Sequence, residues 1–311
     1  MATAQSATAT DLDQYRHDLV GYCYRMLGSV FEAEDAVQET MLRAWRSLDR
    51  FEGRAALKSW LYRIATNVCL DALEGRERRA RPMDLGPAAE PLFENLAERP
   101  EVTWITPLPT PDELAEQRET LRLAFVAALQ HLPPRQRAAL ILCEVLKWQA
   151  SEAAELLETS VASINSAPQR ARATLATADT GAPGELDDDA HALLERYVTA
   201  FEAYDIDRLT DLLHEDAVQS MPPFSLWLQG RDDIFAWWLG AGIGCKGSKL
   251  VPVGLVNGMP AWGQYKPAED GGYEPWSVIV PEVSDGRIAE LTFFLDTARL
   301  FPLLGLPDRL P

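Results

Sequence analysis

The stretch LPPRQRAALILCEVLKWQASEAAELLETSVASINSAPQRARATL, residues 132–175, decides how this chain is read. It opens with a helix from about Pro134 to Leu146, with proline at a start where its missing N–H matters little. A short helix over Gln149–Leu157 follows. Glu158-Thr159-Ser160 then makes a tight turn whose hydroxyls can cap the next helix. That last helix runs from about Val161 to Ala176. Short helices, a turn and a helix bearing polar and basic residues form a helix-turn-helix pattern. Arg, Asn and Gln can bond base edges, so Ser163, Asn165, Gln169 and Arg170 are candidates for the major groove. Arg135, Arg137 and Arg172 suit phosphates. Pro168 sits inside this helix, removes one hydrogen bond and clashes with the Ile164 carbonyl at roughly 3 kcal/mol, which predicts a kink or a shortened helix.

Upstream, a second helical segment spans about residues 10–82. Ala33, Val37, Met41, Ala44 and Leu48 recur at steps of three and four and form one apolar stripe. Asp35, Gln38, Glu39, Leu42 and Arg46 lie on another face. A following helix carries Leu57, Leu61, Ile64, Val68 and Ala72 on its apolar side and Arg63, Asn67, Asp71, Glu74 and Arg78 opposite. The Asp49–Arg54 connection is polar and contains Gly53. Phe51, Gly53 and Arg54 suit capture of an unstacked base, and Arg76, Arg78, Arg79 and Arg81 form a basic cluster suited to phosphates.

Between the helical segments, residues 83–111 hold a run of prolines that excludes a continuous helix or a central strand and reads as a linker. Trp104, with Pro107 close by, is too apolar for an exposed linker and is expected to dock on another domain. The helix-turn-helix segment, residues 112–178, ends at a second linker, the Gly/Pro and acidic stretch 179–187. Residues 188–298 differ in pattern. Two amphipathic helices come first, then β-like runs over Ala217–Ser220, Lys249–Val256, Ala261–Lys266, Glu274–Val280 and Arg287–Leu295, with a helix at about 231–239 between the first two. The tail, residues 299–311, is apolar around Phe301 and Leu304, which suggests docking onto another surface.

A net charge of −18 argues against a nucleic-acid partner only until it is divided along the chain. Residues 181–311 carry −12 of it, with 9 Lys+Arg against 21 Asp+Glu. Residues 1–82 balance at 12 of each. Four dispersed cysteines without a C-x-x-C pair argue against a zinc ribbon or a disulfide framework. No stretch approaches the ~20 apolar residues of a membrane span, and the N-terminus has no signal-peptide pattern, so a cytoplasmic location is expected.

EAEDAVQETMLRAWRSLDRFEGRAALKSWLYRIATNVCLDALEGRERR, residues 32–79, resembles region 2 of the extracytoplasmic-function (ECF) sigma factors of bacterial RNA polymerase, and residues 132–175 resemble region 4. LLERYVTAFEAYDIDRLTDLLHEDAV, WLQGRDDI and GRIAELTFFLD resemble the SnoaL-like family, and Trp104–Pro109 resembles a Trp/Pro linker motif of the ECF subgroup that carries such an extension. The resemblance implies a multidomain chain: two all-α domains, a region 2 bundle and a region 4 helix-turn-helix, followed by an α+β cone. It implies binding to core RNA polymerase through Asp35, Gln38, Glu39 and Leu42 against the β′ clamp helices, with the β flap a further contact. Phe51, Gly53, Arg54, Arg63, Asn67, Asp71, Arg76, Arg78 and Arg79 would meet the −10 element; Arg135, Arg137, Ser163, Asn165, Gln169, Arg170 and Arg172 the −35 element. Trp104, Pro107, Phe301 and Leu304 would mediate regulatory contact between domains. No covalent chemistry, cofactor or metal is called for, and whether an anti-sigma partner exists stays open. A conventional helix-turn-helix regulator with a ligand-binding domain is the alternative. So is a SnoaL-type enzyme, which would need acids and bases inside the cone; His214, Asp216, Tyr204 and Asp205 are the nearest polar set, and Trp227, Trp237, Trp238, Trp262 and Trp276 the aromatic residues able to line a pocket.

Overall fold

The computed structural model describes residues 12–48, 51, 56–166 and 187–311. The chain forms two compact units, Met1–Arg79 with Pro111–Thr180, and Ala80–Thr110 with Gly181–Pro311.

The first unit is helical. Helix α1 spans Arg16–Leu27, α2 Val30–Ser47 and α3 Leu57–Leu73. Ser29 caps α2 by accepting from the Glu32 N–H. The apolar stripes of α2 and α3 turn inward as their periodicity requires: Ala33, Val37, Ala44, Leu61 and Val68 are buried. At the centre, Tyr22 stacks edge-on against Tyr62 at 5.2 Å and shares a 2.7 Å hydrogen bond with Thr66. Short helical turns over Asp112–Leu121 lead to α4 (Leu123–Gln130) and α5 (Pro134–Leu140), which continues through a wider turn, Ile141–Val145. Helix α6 (Ala150–Leu156), a turn with Glu158 left-handed at φ 52°, and helix α7 (161–166) complete the described part of the helix-turn-helix. Ser160 caps α7 through the Ser163 N–H at 3.1 Å.

Buried arginines join the helices that precede the proline-rich linker to those that follow it. Arg25, on α1, donates to Gly21 O at 2.8 Å, Thr120 Oγ1 at 2.7 Å and Gln117 Oε1 at 3.1 Å. Arg137, on α5, donates to Met26 O, to Gln130 Oε1 at 2.6 Å, and to the carbonyls of Gln130 and Leu132 at 3.1 and 3.2 Å. Gln130 returns a bond to Arg25 O at 3.3 Å. Gly28 ends α1 at φ 72°, which favours glycine, and a Cβ there would come within 3.3 Å of the Gln130 side chain.

The second unit is built on a six-stranded mixed sheet: β1 Leu213–Ser220, β2 Trp227–Gln229, β3 Lys249–Val256, β4 Met259–Pro267, β5 Tyr273–Ser284 and β6 Arg287–Phe294, in the order β2-β1-β6-β5-β4-β3. Only β1 and β6 run parallel within it. Helices α8 (Asp188–Ala203), α9 (Ile206–Leu212) and α10 (Arg231–Leu239) contact the sheet and bury Leu193, Leu194, Tyr197, Phe201, Leu209 and Ile234. Asp187 and Asp205 cap α8 and α9.

Both segments expected to reach toward other domains are parts of this second unit. The tail folds as helix α11 (Thr297–Leu303), with Phe301 1% exposed and edge-on to Tyr265 at 5.1 Å. Tyr265 Oη donates to Pro307 O at 2.7 Å, and Leu310 pairs with Tyr273. Leu304 is half-buried at the end of α11. Residues 83–110 are tied down along their length: Trp227 Nε1 donates to Gly86 O (2.9 Å), Ser225 N to Ala97 O (2.8 Å), Arg99 N to Pro223 O (3.0 Å) and Thr110 N to Leu255 O (2.8 Å). Trp104 is 3% exposed and Pro107 is buried. Proline density correctly excluded a long helix here; it says nothing about whether carbonyls and the occasional N–H find partners on a neighbouring sheet.

Candidate functional site

The outer face of α2 presents Asp35, Gln38, Leu42 and Trp45 at steps of three, four and three, all exposed. Leu42 is 42% and Trp45 64% exposed. An exposed Leu–Trp pair flanked by hydrogen-bonding side chains is an anchor suited to a protein partner. Sequence reading named the first three residues and missed Trp45, although the same periodicity points to it. Glu39 differs: it is half-buried and pairs with Arg43 at 2.6 Å, and Arg43 reaches Asp71 at 3.6 Å.

On α3, Asn67 and Asp71 are exposed, and Arg63 holds Glu155 at 3.1 Å through an ion pair open to solvent. Phe51 packs on Trp60 at 5.0 Å between ring centres, so an aromatic pair brackets the connection between α2 and α3. Gly53 and Arg54 lie outside the described residues. Of the basic cluster, Arg76 and Arg78 are exposed, Arg76 pairing with Glu32 and Arg78 with His131. Arg79 corrects the expectation of a phosphate contact: it is 5% exposed and held by Glu32 at 3.1 Å. Arg81 pairs with Glu290 at 3.4 Å inside the second unit.

In the helix-turn-helix, Ser163 and Asn165 are exposed on α7 while Ile164 is buried, so α7 offers its polar side outward. Pro168, Gln169, Arg170 and Arg172 lie outside the described residues. Arg135 is exposed and donates to Leu157 O at 3.0 Å, which leaves most of its guanidinium for a phosphate. Arg137 is the second correction. It is 2% exposed, and its Nη1 and Nη2 donors are spent on backbone carbonyls and Gln130. Burial lowers its pKa to about 10, as it does for Arg25, and both stay charged at neutral pH.

Inside the cone the four polar candidates do not converge. Asp205 is spent on the cap of α9, His214 Nδ1 accepts from the Asp216 N–H at 3.3 Å, and Tyr204 Oη donates to Trp238 O at 2.5 Å. The tryptophans divide. Trp227 grips the linker, Trp262 packs near Tyr197 at 6.2 Å, and Trp237, Trp238 and Trp276 surround one cavity. Among the described residues no helix is long and apolar enough to cross a membrane.

Comparison with known proteins agrees with this division. Residues 12–79 match the family described as Sigma-70 region 2, residues 122–175 Sigma-70, region 4, and residues 194–291 the SnoaL-like domain. The ECF RNA polymerase sigma factor SigG of Mycobacterium tuberculosis (strain CDC 1551 / Oshkosh) is 45% identical over 311 residues, an alignment covering 96% of this chain and 83% of that one. The ECF RNA polymerase sigma factor SigJ of the same species (strain ATCC 25618 / H37Rv) is 27% identical over 300 residues, covering 91% and 89%. The crystal structure of Mycobacterium tuberculosis SigJ superposes with a TM-score of 0.62 at 23% identity, over 97% of this chain and 100% of that one, and so shares its fold.

Proposed function

Because this chain belongs to the ECF RNA polymerase sigma factors, we propose that its C-terminal domain sets how far apart its two promoter-reading halves can move. Sigma factors are not enzymes; they bind core RNA polymerase and promoter DNA. In this reading Asp35, Gln38, Leu42 and Trp45 dock on the β′ clamp helices in the cytoplasm. Asn67, Arg76, Arg78 and the Phe51–Trp60 pair serve the −10 element, and Ser163, Asn165 and Arg135 serve the −35 element. Gly53, Arg54, Gln169, Arg170 and Arg172 join them by sequence position.

The observation that carries the regulatory part is a closed loop in the linker. Ala80 N donates to Thr103 O at 2.8 Å, and Ile105 N donates to Ala80 O at 3.2 Å. Residues 81–103 therefore add no reach while this clasp holds. The remaining half-dozen residues before Pro111 span at most about 25 Å, whereas the freed linker of about 31 residues would span roughly 105 Å. The −10 and −35 elements lie about 25 base pairs apart, roughly 85 Å of duplex. Even with about 20 Å contributed by each helical domain, a clasped chain falls short. Release of the clasp from the C-terminal fold is then the step that permits both elements to be read.

The test is transcription in vitro with bacterial core polymerase on promoters taken from upstream of the chain's own gene. A chain with Trp104→Ala and a chain stopped near residue 180 both free the linker and are expected to raise promoter-specific transcript severalfold over the full chain. Unchanged transcript from both would sink the regulatory reading, and no specific transcript from any version would sink the promoter assignment. In a pull-down with core polymerase, Trp45→Ala is expected to weaken binding at least about tenfold, as loss of a Trp anchor does. Equal binding would remove α2 from the interface.

A further inference from the structure

Two hairpins of the sheet turn on two residues each, Asn257-Gly258 between β3 and β4 and Asp285-Gly286 between β5 and β6. All four residues have positive φ, 51° and 76° in the first turn and 50° and 68° in the second, the geometry that joins twisted strands most tightly. The surroundings differ. Asp285 and Gly286 stand exposed, whereas Asn257 is 0% exposed. Asn257-Gly258 is also the only Asn-Gly pair in the chain.

The linker is what covers it. Leu108 N donates to Asn257 Oδ1 at 2.9 Å, and Asn257 N donates to Leu108 O at 2.8 Å. Gly258 N donates to Thr110 Oγ1 at 3.0 Å. Leu108 and Thr110 are themselves 2% and 7% exposed. A backbone N–H only donates, so the Leu108 bond fixes the orientation of the Asn257 amide.

An Asn-Gly pair carries a reaction of its own, because glycine brings no Cβ to shield its nitrogen. The nitrogen loses its proton to water and attacks the asparagine Cγ. The N–Cγ bond forms, the Cγ–Nδ2 bond breaks, and ammonia leaves. Water then opens the cyclic imide at either carbonyl and gives aspartate or isoaspartate. One water is taken up and one ammonia released, with no oxidant or cofactor. With the linker seated, Thr110 holds the attacking nitrogen, Leu108 holds the amide, and burial keeps water from both.

We propose that Asn257 is a deamidation site uncovered when the linker leaves the sheet, and that the reaction makes that departure permanent. Aspartate would put a carboxylate where the fold offers no exposure, and isoaspartate adds a backbone atom to a two-residue turn. Both products disfavour the return of Leu108 and Thr110. The consequence for transcription rests on the linker clasp proposed above; the chemistry does not.

Deamidation is read by mass spectrometry of the peptide spanning Asn257, which gains about 1 Da, with isoaspartate counted by enzymatic methylation. At mildly alkaline pH the natural chain is expected to react at least ~10-fold more slowly than the same chain unfolded in urea. Trp104→Ala, which frees the linker, is expected to approach the unfolded rate. Thr110→Val keeps the shape but removes the acceptor of the Gly258 N–H, and is expected to react about threefold faster than the natural chain. It decides by itself if Trp104→Ala does not fold. Reaction of the natural chain at the unfolded rate, or no acceleration in any folded variant, would overturn the site. Acceleration in Thr110→Val alone supports the site and shows instead that Trp104→Ala leaves the linker seated. Asn257→Asp mimics one product and is expected to raise promoter-specific transcript as Trp104→Ala does. A rise with Trp104→Ala but not with Asn257→Asp would overturn the lock and leave the clasp standing. No rise with either would remove the clasp, and the lock with it.

Discussion

Arg137→Ala is expected to lower the melting temperature of the helical unit by about 10 °C, whereas Arg135→Ala, two residues away, is expected to leave it nearly unchanged. The two side chains look alike in the sequence. In the fold, Arg137 is 2% exposed and bridges Met26 O, Gln130 and Leu132 O, while Arg135 is exposed with one bond to Leu157 O. Removing the Arg137 guanidinium leaves several buried acceptors without partners and opens a cavity, a loss of about 4 kcal/mol by the usual figures for such sites. An exposed arginine with one hydrogen bond is worth less than about 1 kcal/mol. The order reverses for promoter DNA, where Arg135→Ala is expected to reduce the salt slope of binding by about one and a folded Arg137→Ala chain is not. Circular-dichroism melts and DNA titrations at several salt concentrations check both halves. A normal melt for Arg137→Ala with a reduced salt slope would return Arg137 to the phosphate-contacting set. Linkage adds a control. Burial lowers the Arg137 pKa from the ordinary arginine value to about 10. Between those values the native state has released a proton that the unfolded chain still holds, so this contribution to stability rises with pH there and is flat below. The deficit of Arg137→Ala is therefore the same at pH 6 and pH 8.

This pair of residues also marks what a sequence can tell. Apolar spacing assigned α8, α9 and α10 to within a residue or two, because burial of one face is what makes such helices stable, whereas α3 ends at Leu73, short of the Glu74 and Arg78 that the spacing places on its polar face. The strand runs were found for the same reason, while β2, three residues long, has too little pattern to see. The exposed stripe of α2 was legible up to Leu42, and Trp45 extends it by one more turn. Charge carries no such periodic signature. Nothing in Arg76-Glu77-Arg78-Arg79 says that the last of them turns inward to Glu32. Likewise, the apolar tail was recognised as a docking element, but its partner is its own sheet, since Tyr265 and Gly263 leave room for Phe301 and Leu306. Long-range pairing of this kind is invisible to local pattern.

The second large effect is a change of distance inside the molecule. In the first unit, α3 meets the helix-turn-helix through Tyr62 against Trp148 at 5.2 Å and Arg63 with Glu155 at 3.1 Å. A compact body of about 150 residues has a radius of gyration near 15 Å, so two points on it are no more than about 40 Å apart. Promoter elements separated by about 85 Å of duplex cannot both be read by such a body. Dyes placed at Asp13→Cys and Ser151→Cys, both exposed and outside the faces assigned to polymerase and DNA, report the separation. Cys143 and Cys245, the two partly exposed native thiols, are replaced by serine, and Cys23 and Cys69 are buried. Energy transfer is expected to be high in the free chain and to fall to the level of a separation beyond about 60 Å with core polymerase and promoter DNA. Core polymerase alone tells which partner opens the unit. If transfer stays high in a complex that makes transcript, the helical unit stays closed during initiation and the reach argument fails. If it is already low in the free chain, packing through Arg25, Gln130 and Arg137 does not hold the halves together in solution. Trp104→Ala separates the two barriers. It frees the linker without touching those three residues, so free-chain transfer stays high while the polymerase concentration needed to lower it falls.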